Sequence, residues 1–178
     1  MHHLEHLRVV HRDLAARNVL LAHTHGVNVT AKVADFGLAR QLKDGRSDCT
    51  AHSLSFRWAA PVVLRHNGHS SASDVWSFGV LCWEVFSLTK SLPWRELSDR
   101  DAVVEAVVNR RQTLSPPSAC EIWIAVTPCI AYNANERPTF AQLLTTLGKL
   151  RADLSAVIDI QRPDGQSAMV CLTSSDLR

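Results

Sequence analysis

Three side chains near the start of the sequence could act together on one substrate: Asp13, Asn18 and Asp35. Asp35 is an anionic hard ligand and Asn18 a neutral one. Such a pair suits Mg²⁺, which is commonly held by one or two side chains while substrate phosphates complete the octahedron. Asp13 lies five residues before Asn18 and could accept a proton from a hydroxyl beside that metal. A metal to carry charge, a carboxylate for the nucleophile and little covalent work by the protein is a phosphoryl-transfer arrangement. Taken singly, each acid reads more simply as a cap or turn residue. The three at these spacings point to chemistry.

The elements around them must bring them together. "NVLLA" (18–22) reads as a short strand, "HTHGVN" (23–28) as a turn, and "VTAKVA" (29–34) alternates apolar and polar as a second strand. An antiparallel hairpin sets its two open ends side by side. Asn18 and Asp35, seventeen apart in sequence, then become neighbours, and Asp13 leads into the same end. Residues 1–8 read as the end of a helix with Leu4 and Leu7 on one face. Residues 38–59 read as a long irregular loop with Asp44-Gly45 as a turn signal. Ser73 or Asp74 can cap a helix running to about Leu88. Its residues are apolar nearly all round, which predicts a buried core helix. Asp99 can cap another helix, carrying Val103, Val104, Val107 and Val108, and a further one spans about 118–130. Pro138 suits the first turn of a last helix with Phe140, Leu143, Leu144, Leu147 and Leu150 on its face. From Ser155 onward the periodicity is weak and reads as a tail. The fold class is mainly α with one small β-hairpin.

Composition sets the outer bounds. A chain of 178 residues with 46% apolar content suits one ordinary globular domain. The net charge is only +2, and no stretch resembles the basic, aromatic-laced surface of a nucleic-acid binder. The five cysteines are odd in number and form no C-x-x-C pair, which reads as free thiols in a reducing compartment. The longest apolar stretch, "FGVLCWEVF", is interrupted by Glu84 and is too short to span a bilayer.

The motifs together resemble the large, C-terminal lobe of a protein kinase. "HRDLAARN" (11–18) is similar to the catalytic loop and "DFG" (Asp35, Phe36, Gly37) to the metal-binding motif. "WAAP" (58–61) resembles the end of the activation segment, "SDVWSFGVLCWEV" (73–85) the central buried helix, and "NERPTF" (135–140) the closing motif. The resemblance covers residues 1–151 as a partial kinase domain, with 152–178 as a C-terminal tail. "AAR" (15–17) and "FRWAAP" (56–61) are similar to the tyrosine-specific branch rather than the serine/threonine branch. The resemblance implies ATP and Mg²⁺ as cofactors and proteins bearing tyrosine as substrates. It implies a cytoplasmic location, or the cytoplasmic portion of a membrane receptor. It also implies a role for each matching residue. Asp13 would be the catalytic base and Arg17 would support the substrate hydroxyl and γ-phosphate. Asn18 and Asp35 would bind Mg²⁺, and Leu20 would sit under the adenine ring. Arg12 would contact the activation loop, while His11 and Phe36 would stack. Asp74 would brace the catalytic loop by accepting backbone hydrogen bonds.

The sequence also departs from that pattern. None of its four lysines precedes the catalytic loop, and no two of its seven glycines form G-x-G. The small, N-terminal lobe that supplies a glycine-rich loop and a strand lysine over the phosphates is therefore read as missing, and little activity is expected of this chain alone. The family's A-P-E reads Ala60-Pro61-Val62, so Arg137 lacks the glutamate that it normally pairs with. Ser55 stands where a proline is usual. The only tyrosine, Tyr132, lies far from the 38–59 loop, so Ser47, Thr50, Ser53 and Ser55 are the hydroxyls left there for modification. A catalytically inactive scaffold or binding lobe is the rival reading.

Overall fold

The computed structural model describes residues 1–23, 29–42, 55–87, 91–116 and 121–160. The 24–28 part of the expected turn, the 43–54 part of the long loop with Ser47, Thr50 and Ser53, and the last eighteen residues lie outside the described residues.

The chain opens with a short helix α1 (His2–His6) and a two-residue strand β1 (Val9–Val10). The hairpin follows as β2 (Val19–His23) and β3 (Val29–Val33), antiparallel, with Val19 opposite Val33 and His23 opposite Val29. Strand β2 lies one residue later than its expected span, and β3 starts as expected and ends one residue earlier. Strand β4 (Arg40–Gln41) then returns to pair with β1. That second pair was not anticipated, since two residues are too few to show alternation.

Helix α2 (Pro61–His66) was likewise unforeseen. Proline stands at its start, where its missing N–H is not needed, and the helix stops at Asn67, which adopts the left-handed conformation at φ 52°. The central helix α3 (Ser71–Phe86) is capped by Ser70, not by Ser73 or Asp74. The Ser70 hydroxyl accepts from the Ser73 N–H at 3.3 Å, and the Ser73 hydroxyl accepts from the Ser70 N–H at 3.0 Å. This reciprocal box moves the start three residues upstream and leaves Asp74 free for another task. Nor is α3 buried all round: Val85 is 54% exposed.

Asp99 caps α4 (Arg100–Val104) by accepting from Ala102 N–H at 2.9 Å, and the helix widens into a π-type turn through Asn109. Helix α5 (Glu121–Val126) tightens into a 3₁₀ turn ending at Ile130. Helix α6 (Phe140–Ile160) starts after Pro138, which lies just outside it. Thr139 and Gln142 form its reciprocal cap, at 3.2 and 2.8 Å. Its backbone runs past both 151 and Ser155 to Ile160, since a helix once nucleated adds residues cheaply.

The core packs around α3. Trp76 and Val80 meet Val103, Val107, Trp123, Val126, Cys129 and Phe140, all buried. Each such side chain stabilises the fold by about 1.5–3 kcal/mol relative to exposure. Among the described residues no helix is long and apolar enough to cross a membrane.

Candidate active site

The hairpin's open end carries the polar cluster. Ala34 N–H donates to the Asn18 carbonyl at 2.8 Å, which closes the ladder and sets Asn18 beside the chain leading into Asp35. The Asn18 amide nitrogen donates to the backbone carbonyl of Asp13 at 2.7 Å and to its carboxylate Oδ2 at 2.9 Å. Both amide protons are thereby committed, and Oδ1 is the ligand atom left. Arg17 donates to the other carboxylate oxygen of Asp13, and to the Ser55 hydroxyl at 2.7 Å. Its guanidinium lies over the Trp58 ring at 4.6 Å. Asp13 is thus fixed from two sides, with its side chain 14% exposed.

Asp35 adopts φ 59°, a left-handed conformation that aspartate tolerates better than most residues. Its Oδ1 accepts from the Gly37 N–H at 3.2 Å. Asn18 Oδ1 and the Asp35 carboxylate are hard oxygen donors, of the kind that would suit a magnesium ion completed by phosphate and water. They do not make a closed, all-protein metal cage. Among the described residues no cluster of three or more His, Cys, Asp or Glu side chains is placed to hold a metal.

Beneath this end the backbone of the 11–18 loop is held from inside. Asp74, on α3, accepts from the N–H groups of His11 at 2.7 Å and Arg12 at 3.0 Å. Burial pushes its carboxyl up to about 6, against the opposing pull of those two N–H groups and the Arg12 charge. His11 is fully buried, with Nε2 3.0 Å from the Ala34 carbonyl and Nδ1 3.4 Å from the Asp13 N–H. Both contacts fit the tautomer protonated at Nε2. Its ring meets Phe36 edge-on at 5.0 Å.

Arg12 has φ 74°, and its Nε is buried with no partner. Burial chiefly, and then Arg40, hold its pKa below the usual value, while Asp74 opposes them. It lines a space of about 10 Å³ shared with Ser55, Trp58, His69 and Asp74, which is the room one water needs. Leu20 is 59% exposed on the hairpin, and Leu21 and Phe36 are exposed as well. Arg137 lies apart from this cluster. Its guanidinium donates to the carbonyls of Ala131, Ala72 and Tyr132 at 2.8, 2.8 and 3.0 Å and stacks over Trp76. Backbone oxygens, rather than a glutamate, take three of its five N–H groups.

Sequence reasoning missed Glu84. This buried carboxylate on α3 accepts from the Trp58 indole and from the Ala16 N–H through one oxygen. The signal was present: a lone acid inside "VLCWEVF" needs buried donors to remain there. Arg57 was also missed. It clamps the carbonyls of Pro93, Trp94 and Leu97 at 3.1, 2.6 and 2.8 Å and fixes the segment that carries Trp58.

The family model described as protein tyrosine and serine/threonine kinase matches residues 1–147. Tyrosine-protein kinase csk-1 of Caenorhabditis elegans is 38% identical over 153 residues, covering 85% of this chain and 27% of that protein. Tyrosine-protein kinase Srms of Mus musculus is 40% identical over 157 residues, covering 86% and 30%. Ephrin type-B receptor 3 of Mus musculus is 37% identical over 175 residues, covering 94% and 17%. The chain therefore spans less than a third of the length of these curated relatives.

Proposed function

The chain belongs to the protein tyrosine and serine/threonine kinase family, and on that premise we propose that it carries the large-lobe half of a tyrosine kinase. Completed by a small lobe, it transfers the γ-phosphate of ATP to tyrosine hydroxyls of proteins. Residues 1–151 form that lobe and 152–178 a tail. The observation that carries the reading is the convergence of Asn18 and Arg17 on the two carboxylate oxygens of Asp13, at the hairpin end that also bears Asp35.

In this reading Asp13 receives the hydroxyl proton while Arg17 steadies the hydroxyl and the γ-phosphate. Asn18 Oδ1 and Asp35 would hold a magnesium ion, which would supply positive charge opposite the phosphate. The Arg17–Trp58 stack and the tyrosine-kinase relatives favour a tyrosine acceptor. Leu20 forms part of the floor beneath adenine. The glycine-rich loop and strand lysine that cover the phosphates come from the small lobe. The site works in the cytoplasm, in a free protein or the inner part of a receptor.

Val62 favours a second reading, a lobe that docks partners without chemistry. Calorimetry of Mg²⁺-ATP binding, with Asp35→Asn as control, together with peptide phosphorylation after a small lobe is supplied, separates the two. Phosphorylation lost in Asp13→Asn, with nucleotide binding weakened in Asp35→Asn, supports the kinase. Absence of both binding and phosphorylation with the small lobe present supports the scaffold.

A further inference from the structure

A cleft of about 220 Å³ opens between α2 and the turn at 131–137, away from the candidate active site. Its walls carry Arg65, His66 and Arg137, with Tyr132 and Asn133 between them, and no Asp or Glu. Val62 supplies an aliphatic wall that offers neither donor nor acceptor.

The positive charge there is uncompensated. Arg137 is only 7% exposed, and its three hydrogen bonds go to neutral carbonyls. A guanidinium has five N–H donors, so two remain, one on each terminal nitrogen. Arg65 donates to the Tyr132 hydroxyl at 3.2 Å, which in turn donates to the Val108 carbonyl at 3.1 Å. Among the described residues neither arginine has an ion pair. A buried cation without a counter-charge is costly unless an anion reaches it. Burial accordingly draws the Arg137 guanidinium down to about 10.

We propose that this cleft is a carboxylate-binding site, in which an acid from outside the chain seats against Arg137 and Arg65. The room suffices for a carboxylate and a short methylene stem, as on an acidic peptide side chain or a small organic acid. The site stands on the cleft and its charges, independently of the kinase reading.

Thermal unfolding of the full chain in sodium acetate against sodium chloride, at equal ionic strength, tests it. Acetate should raise Tm by about 3 °C at ten times its Kd. Val62→Glu should raise Tm in chloride and lose the acetate response, because the new side chain occupies the cleft. An equal acetate response in both proteins is a generic salt effect and overturns the site. A second reading needs no variant: the Arg137 Nε–H resonance of the unaltered protein should shift saturably with acetate, and no saturable shift overturns the proposal. A neutral-capped Glu peptide and its Gln counterpart then separate the sources. A response to the Glu peptide alone identifies an acidic peptide as ligand, and a response to acetate without either peptide identifies a small acid.

Discussion

Trp58 and Ala16 share one oxygen atom of Glu84. The indole Nε1–H reaches Oε2 at 2.7 Å and the backbone N–H of Ala16 reaches it at 2.9 Å. Through that atom α3 holds both the 11–18 loop and the segment bearing Trp58, over which Arg17 lies. Ser77, a further two turns back on α3, donates to the Trp58 carbonyl at 2.8 Å. The candidate site is therefore positioned from beneath by one helix, through Asp74 at its start and Glu84 near its end.

Glu84→Ala leaves two donors without their shared acceptor. Each unsatisfied buried donor costs about 1–3 kcal/mol. Thermal unfolding should show a Tm lowered by roughly 5–10 °C. Glu84→Gln keeps an acceptor oxygen and should lose less than half as much. A Tm unchanged in Glu84→Ala would show that the bridge contributes nothing.

Two glycines should respond in opposite directions to alanine. A Cβ on Gly79 would stand 2.7 Å from Ile130 Cγ2 and 2.9 Å from Cys129 Cβ, where α3 crosses the 127–130 turn. Overpacking of that kind costs about 1–3 kcal/mol. A Cβ on Gly148, within α6, meets nothing within 4 Å. There alanine should stabilise by about 0.5–1 kcal/mol, from helix propensity alone. Denaturant unfolding of both variants checks the pair, and equal signs would refute the packing at Gly79.

The hairpin was legible because Val29, Ala31 and Val33 alternate with polar residues and so announce a period of two. Asp99 was legible as a cap because its chemistry acts within three residues. What stayed hidden depends on partners distant in sequence. Ser70 and Ser73 look alike as caps until the reciprocal bond is seen, and Asp74 accepts from residues more than sixty positions away. Strands β1 and β4 carry two residues each, too few for any pattern. The fate of Arg137 turned on backbone carbonyls, which every sequence possesses and none advertises.

Glu5 is a clear case of such a hidden partner. Its carboxylate accepts from the N–H groups of Phe140 and Ala141 at 3.2 and 3.3 Å, at the first turn of α6, and from the Ser71 hydroxyl at 2.9 Å. A negative charge at a helix N-terminus satisfies orphan donors and opposes the dipole. Glu5→Gln should cost about 1 kcal/mol and Glu5→Ala about 2 kcal/mol, read by denaturant unfolding. No loss in either variant would sink the capping role of α1.

His69 should give the protein a pH dependence of identifiable sign. Burial first, and the Arg12 charge second, draw its pKa from 6.5 down to about 4. The folded ring stays neutral where the unfolded one takes a proton. Its contribution is therefore fully present above pH 6.5 and is lost as the pH falls toward 4. Asp74, which lines the same small space, acts the other way: its pKa is raised from 3.8 to about 6, so stability grows as the pH falls through that window. The two partly cancel in the unaltered protein, and a single titration would hide both. Comparing Tm between pH 7 and pH 4.5 with that of His69→Gln isolates the histidine, since Asp74 titrates in each. The unaltered protein should lose more Tm across that interval than the variant does. Parallel slopes would mean that His69 is protonated as readily in the fold as outside it, and that the space beside Arg12 is wetter than its walls suggest.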